Sequence, residues 1–503
     1  MPMQMNSFSA WSLLRHESTM KKMSGIARSL TFDKAPMFIM IKRCSGAVLS
    51  VDVWLNVIFG CKLTGCSPIT PRFGPIGFMF ALFIVFWAVS GFGAPDLMVT
   101  AERPDAVYQP GEKIVWKVQM RGAPDASIKQ VSYVLKQGGA TVIGRGVTDF
   151  KDGVAMIETS INEPGTILAD ITATNLAGAG LHALAGAAVA PEKIPVSSPC
   201  PADFDAFWQT KLDELARVPE NPVLVSEAAD KAGVEYWKIT MDNIRNTHIQ
   251  GQLARPVSGK RFPAMLIVQW AGVYRLEKTW ATDRAAEGWL VLDISAHDLP
   301  IDEPKSFYDD LSKDALYNYA AIGNDDREHS YFLRMYLACY RAAEYLSQRP
   351  DWDGRTLVVA GTSQGGLQSF VTAGLNHKIT TLMALVPAGC DNTGDQVGRT
   401  PGWPNWMANA GIHDPKKVRA TARYFDGVNF AARVKCPALI GLGLVDVTSP
   451  PSGVFAAINQ LQGPKEVVIM PDANHHGDNK THAPFQKRSA AWQAALLNHQ
   501  PVP

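Results

Sequence analysis

With 503 residues, 47% of them hydrophobic, the chain is long enough for two or three domains and can bury a large core. Its 48 basic and 47 acidic side chains leave a formal net charge of +1. That balance, without basic runs, offers no electrostatic footprint for nucleic acid and no support for a polyanionic substrate.

Residues 1–70 are Met-rich and lack sustained periodicity, and the stretch PIGFMFALFIVFWAVSGFGA (75–94) then runs without a charge behind Arg72. Such a run is either the apolar region of a secretory signal or one membrane span. Ser90, Gly91, Gly93 and Ala94 offer cleavage positions, and a polar β-rich segment begins at Pro95. The expectation is therefore an export signal within 72–94 of a secreted or periplasmic protein, with a membrane tether through 75–94 as the alternative. Because a signal normally opens a protein, residues 1–70 are expected to lie upstream of the true start. Of seven cysteines, Cys44, Cys61 and Cys66 fall ahead of the apolar run. Cys200, Cys339, Cys390 and Cys436 have no C-x-x-C spacing and read as packed thiols, a disulfide being the alternative in an oxidising compartment.

From 95 to about 195 the pattern has period two. Ile114, Trp116 and Val118 alternate with Val115, Lys117 and Gln119, and Val131, Tyr133 and Leu135 repeat the device before the turn QGGA. TDFKDG and NEPG mark further turns, so this segment is predicted to be a β-sandwich of immunoglobulin-like type, closed by a linker near PEKIPVSS. At PADFDAFW the period becomes helical, with Phe204, Phe207, Trp208, Leu212 and Leu215 on one face and Asp203 placed to cap. Apolar runs then alternate with helices through YWKIT, FPAMLIVQW, GWLVLDIS, TLVVAG, TTLMALVPA, PALIGLGLV and EVVIMP. That alternation predicts a mostly parallel sheet covered on both faces over 196–503.

In GTSQGG a serine, Ser363, stands between Gly361 and the pair Gly365 and Gly366, after the strand RTLVVAG and before a helix carrying Leu367, Phe370 and Val371. A strand-to-helix turn this tight strains the backbone at the serine, and the flanking glycines remove side chains that would clash. The hydroxyl is then presented above the C-terminal edge of the sheet, and the amide of Gln364, at the helix N-terminus, points where an oxyanion would form. A serine nucleophile needs a base and the base an orienting acid, in the chain order Ser, Asp or Glu, His for such sheets. Asp446 follows the next-to-last apolar run, and His475 and His476 follow the last. Asp391, after an earlier strand, is the runner-up acid.

Residues 201–495, through PADFDAFW, GTSQGGLQ, YFDGVNFAARVKCPALIGLGLVD, SPPSGVFAAINQLQGPKEVVIMP and NHHG, resemble the acetyl xylan esterase and cephalosporin C deacetylase family, carbohydrate esterase family 7, of the α/β-hydrolase superfamily. The resemblance implies Ser363 as nucleophile, Asp446 as acid, His475 rather than His476 as base, and Val273 as the second oxyanion amide. It implies hydrolysis of acetyl esters on carbohydrate, with acetylated oligo- or polysaccharide as partner and no cofactor or metal. Three places depart from the family pattern: Val273 replaces a usual aromatic residue, Ser295, Ala296 and His297 replace Arg-Gly-Gln, and His476 replaces Glu.

Other readings compete. Asp472, His475, His476, Asp478 and His482 have the chemistry of a metal cluster, and Trp270, Trp403 and Trp406 that of a sugar platform, although each tryptophan is more often core. A peptidase or lactone hydrolase shares the same triad, and a carbohydrate-binding protein with a decayed site is the non-catalytic alternative.

Overall fold

The computed structural model describes residues 96–122, 127–175 and 180–503. The apolar run at 75–94 and the three cysteines before it lie outside the described residues. Within those described, no helix is long and apolar enough to cross a membrane.

Two small sheets come first. The strands β1 (Asp96–Ala101), β3 (Ile114–Arg121) and β6 (Val154–Thr159) form one, antiparallel throughout. β2 (Val107–Tyr108), β8 (Gly180–Val189), β7 (Gly165–Thr174), β4 (Gln130–Gln137) and β5 (Thr141–Asp149) form the other, in that order. The period-two pattern is the cause: Ile114, Trp116, Val118, Val131 and Leu135 are buried, and Lys117 is exposed.

The second layer is a nine-stranded sheet in the order β17-β16-β15-β14-β12-β13-β11-β10-β9. Its members are β9 (Val223–Glu227), β10 (Val234–Asp242), β11 (His248–Pro256), β12 (Phe262–Val268), β13 (Leu290–Ile294), β14 (Trp352–Thr362), β15 (Thr381–Leu385), β16 (Ala438–Gly443) and β17 (Lys465–Met470). From β13 to β17 every pairing is parallel, while β9, β10 and β11 continue the sheet antiparallel. β9 and β11 are additions to the strands expected from apolar runs. β9 is a short edge strand whose Val223, Leu224 and Val225 are exposed, and β11 carries His248, Gln250 and Gln252 and so does not read as an apolar run. Gln252 is nevertheless fully buried, because Tyr236, Asp293 and the Glu277 carbonyl satisfy its amide.

Helices cover both faces. Leu266, Leu292, Leu357 and Val359 share a core with the helices Tyr331–Gln348 and Gln364–Leu375, and Met265, Val291 and Val358 pack with Lys278–Glu287 and Ala483–Leu497. Successive residues of one strand thus serve opposite cores, which is why these strands read as near-continuous apolar runs. Asp203 precedes its helix as expected but does not cap it. Its carboxylate is taken by the Arg327 guanidinium at 2.7 Å and by the Tyr424 hydroxyl, two tertiary partners that displace the local amide.

The small sheets pack onto this layer. Ala185, Ala187, Ile167 and Trp116 belong to the same continuous core as Leu444 and Val359. A Cβ at Gly186 would come within 2.4 Å of the Leu444 carbonyl oxygen, so β8 lies hard against that backbone. The Thr400 amide donates to Gly138 at 2.9 Å and the Thr141 hydroxyl to Gly398 at 3.0 Å.

Asp293 tests the interior. Its side chain is enclosed in the sheet, with Oδ2 accepting from Gln252 Nε2 at 2.6 Å and Oδ1 unpaired. Burial, only partly offset by that bond, raises the carboxyl from 3.8 to about 7. Between those values the folded protein keeps a proton that the unfolded chain has released. The stability this proton supplies is therefore full below about pH 4 and is lost by about pH 7, on the order of 4 kcal/mol at most. Asp293→Asn is expected to flatten the fall in unfolding free energy across that window relative to the parent, measured by denaturant titration at a series of pH values.

Candidate active site

The strand β14 ends at Thr362 and a helix begins at Gln364, leaving Ser363 as the whole connection at φ 59°, ψ −119°. A left-handed φ on a residue with a side chain costs about 1–3 kcal/mol and persists only where surroundings enforce it. They do so here. The Ser363 amide donates to Leu385 at 2.9 Å, and its carbonyl accepts from Leu367 at 3.1 Å and Ala388 at 3.0 Å. A Cβ on Gly361 would lie 2.3 Å from the Gly365 backbone, and one on Gly365 would lie 2.3 Å from the Val268 carbonyl oxygen. The glycines are therefore required by close backbone approach, as the motif suggested.

The polypeptide brings Asp446 and His475 to this point from the two neighbouring strand ends beyond β15. Asp446 lies three residues past β16, and His475 five past β17. His475 Nε2 is 2.8 Å from Ser363 Oγ, and His475 Nδ1 is 2.8 Å from Asp446 Oδ2. Asp446 Oδ1 also accepts the amides of Thr448 at 2.8 Å and Ser449 at 2.7 Å, and its side chain is wholly enclosed. A carboxylate only accepts, so Nδ1 carries the imidazole proton and Nε2 presents a lone pair to the serine hydroxyl. His476 is exposed and takes no part. The turn bearing both histidines is fixed by Asn474, whose Oδ1 accepts the amides of His476, Gly477 and Asp478, and by His482, whose Nε2 donates to the Asn474 carbonyl at 3.0 Å.

Other candidates fall elsewhere. Asp391, the runner-up acid, accepts from the Ser197 amide and hydroxyl and from Arg399, and so ties down the linker. Among the described residues no group of three or more His, Cys, Asp or Glu is placed to hold a metal ion. Trp406 is core, Trp403 packs on Phe332 and Tyr319, and Trp270 alone is substantially exposed, stacked on Tyr274. Cys200, Cys339, Cys390 and Cys436 are free thiols; burial raises the Cys339 thiol to about 12 and the Cys436 thiol to about 11.

Val273 sits on the loop after β12, packed partly buried against the core. Among the described residues neither its amide nor that of Gln364 has a protein acceptor. Residues with no assigned role in the sequence hold this loop. The Tyr319 hydroxyl accepts the Gly272 amide at 3.3 Å and donates to Gln364 Oε1, and Gln364 Nε2 reaches the Gln269 carbonyl at 3.3 Å. The departures from the family motif also find places: Ser295 Oγ donates to Gln269 Oε1 at 3.3 Å, and His297 lies under Gly272. The sequence marked His297 only as a departure from the family pattern, just past a strand end.

A strained serine at the C-terminal edge of a mixed, mostly parallel sheet, with an imidazole and a carboxylate in line behind it, defines an α/β-hydrolase. Residues 193–495 match the family model for acetyl xylan esterase. The chain is 30% identical over 389 residues, 75% of this chain and 86% of its relative, to acetyl esterase Axe7A of Xylanibacter ruminicola. Its fold is similar to that of an acetyl xylan esterase from a Paenibacillus species, with TM-score 0.51 and 23% identity over 62% of this chain and 98% of that one. Acetyl xylan esterase 1 from a Thermoanaerobacterium species is similar to it as well, with TM-score 0.50 and 22% identity over 59% and 97% of the two chains. The chain belongs to the acetyl xylan esterase family and is a carboxylic ester hydrolase of the serine type.

Gly365→Ala places a methyl group against the Val268 carbonyl in a region without slack. It is expected to lower unfolding free energy by about 1–3 kcal/mol, read as a drop in Tm, with ester hydrolysis reduced in the fraction that still folds.

Proposed function

We propose that this protein removes acetyl groups from acetylated carbohydrate, xylan or xylo-oligosaccharides, by a two-step acyl transfer through Ser363. The observation that carries the reading is the continuous line of two 2.8 Å contacts from Asp446 through His475 to Ser363 Oγ. In the first step His475 Nε2 takes the hydroxyl proton while Oγ attacks the acetyl carbonyl carbon. Asp446 keeps the imidazole in the required tautomer and steadies the imidazolium. The amides of Gln364 and Val273 hold the oxyanion, the former aided by the positive end of its helix. Collapse breaks the ester C–O bond, and the sugar oxygen leaves with the proton from Nε2. A water molecule, deprotonated by the same nitrogen, then attacks the acetyl-serine, and acetate leaves as the serine recovers its proton. Every step runs on this chain's own side chains and amides.

In this reading residues 95–195 are an immunoglobulin-like β-sandwich and 196–503 the catalytic domain, as the two small sheets and the nine-stranded sheet support. The uncharged run at 75–94 exports the protein to where plant polysaccharide is found, a location that fits the substrate; retention through the same run is the alternative.

Ser363→Ala removes the nucleophile without disturbing its neighbours and is expected to lower turnover by about a million-fold with unchanged Tm. Acetate release from acetylated xylo-oligosaccharides is the assay, run beside peptide and lactone substrates. Residual activity within tenfold of the parent sinks the mechanism, and preference for peptides or lactones sinks the substrate.

A further inference from the structure

A peptide group has two ends, and the oxyanion donor assigned to Val273 is one of them. The other is the Gly272 carbonyl, which receives His297 Nε2 at 2.9 Å. A carbonyl oxygen only accepts, so Nε2 carries the proton. Nδ1 is then the acceptor, and the Tyr331 hydroxyl donates to it at 2.6 Å. The relay runs one way: Tyr331 O–H to His297, His297 N–H to the Gly272 carbonyl, and, across the same peptide plane, the Val273 N–H outward. Hydrogen bonding at the carbonyl of an amide polarises the group and strengthens its N–H as a donor.

We infer that His297 is a positioning residue for ester hydrolysis, setting the orientation and polarity of the Gly272–Val273 peptide that receives the developing oxyanion. This rests on the reading of Val273 as an oxyanion donor. Three further observations support it. His297 is 2% exposed, its ring set edge-on to Tyr319 at 4.7 Å and tilted against Tyr331, so its orientation is fixed by packing. Gly272 has φ +124°, a conformation that leaves this peptide dependent on outside contacts to define its plane. The Gly272 amide donates to the Tyr319 hydroxyl at 3.3 Å, so both peptides flanking Gly272 are held, one by Tyr319 and the other by His297. Burial lowers the imidazole to about 4, against a smaller opposing effect of the Gly272 bond, with the Arg334 charge also lowering it. The ring therefore stays neutral, and its single N–H, at Nε2, stays directed at the Gly272 carbonyl through the neutral range.

The test compares His297→Leu, His297→Gln and Tyr331→Phe in the full chain, with p-nitrophenyl acetate and acetylated xylo-oligosaccharide as substrates. Deleting an oxyanion donor outright costs on the order of 100- to 1000-fold in kcat. Losing only its support is expected to cost His297→Leu about 10- to 100-fold in kcat, with KM within about twofold. A boronic acid inhibitor, which forms a tetrahedral adduct, should weaken in parallel. The glutamine amide can occupy the place of Nε2–H, so His297→Gln should recover kcat to within about fivefold of the parent. Tyr331→Phe deletes one oxygen from a filled position, keeps the fold testable should the leucine variant fail to fold, and is expected to lower kcat about threefold to tenfold. Parent-like kcat in folded His297→Leu or Tyr331→Phe overturns the inference, as does equal loss in His297→Leu and His297→Gln or an unchanged inhibitor affinity. Val273→Pro, which removes the N–H itself, separates the two readings. If it keeps kcat, the assignment of the Val273 amide is at fault; if it alone loses kcat, only the role of His297 is.

Discussion

The backbone at Ser363 has to turn from strand to helix within one residue that carries a side chain, and the remainder of the site follows from meeting that demand. A left-handed serine is held only because the chain before and after it can approach to contact distance, which the bare Cα positions of Gly361 and Gly365 permit. Once so held, the hydroxyl stands at the rim of the sheet and the next amide opens a helix, so the Ser363 hydroxyl and the Gln364 amide are consecutive in the chain. The strand order does the rest. β15, β16 and β17 lie successively beside β14, so loops leaving the last two reach the same rim from one side, while the loop after β12 reaches it from the other.

Around the hydroxyl the hydrogen bonds have a direction, and the direction is imposed from buried acceptors outward. Asp446 accepts from two amides and one imidazole nitrogen, which fixes the histidine tautomer. On the opposite side the Gly272 carbonyl plays the corresponding part for His297. Two histidines thus carry their protons on different nitrogens because each meets a group that can only accept. His476, the next residue after His475, meets neither and stays at the surface.

Much of this was legible in the chain itself, for particular reasons. Parallel strands buried on two faces carry few polar residues, so β12 to β16 announce themselves as apolar runs, and the glycines around Ser363 mark a backbone clash that no other residue relieves. The order of serine, acid and histidine along the chain fits the order of strands in the sheet. What stayed hidden depends on pairings made across space. β11 reads as a polar stretch because the partners that satisfy Gln252 come from β10, β13 and a loop. Asp203 sits at a capping position, yet Arg327 and Tyr424, more than a hundred residues onward, claim it. His297 stands in the sequence as a lone histidine past a strand, and only the packing of Tyr319 and Tyr331 around it reveals a task.

The contact between Gly186 and Leu444 has a consequence for how this chain can be divided. Leu444 precedes Asp446 by two residues, so the wall against which the acid's loop rests is made by β8, from the first hundred residues after the apolar run. A fragment trimmed to start at the helix Phe204–Ala216 would keep Ser363, His475 and Asp446 and still lose the strand packed behind the Asp446 loop, baring alanine- and leucine-lined surface to water at the same time. The loop that carries Asp446 therefore leans on a strand outside the sheet that bears it, so the packing behind the site is drawn from both layers.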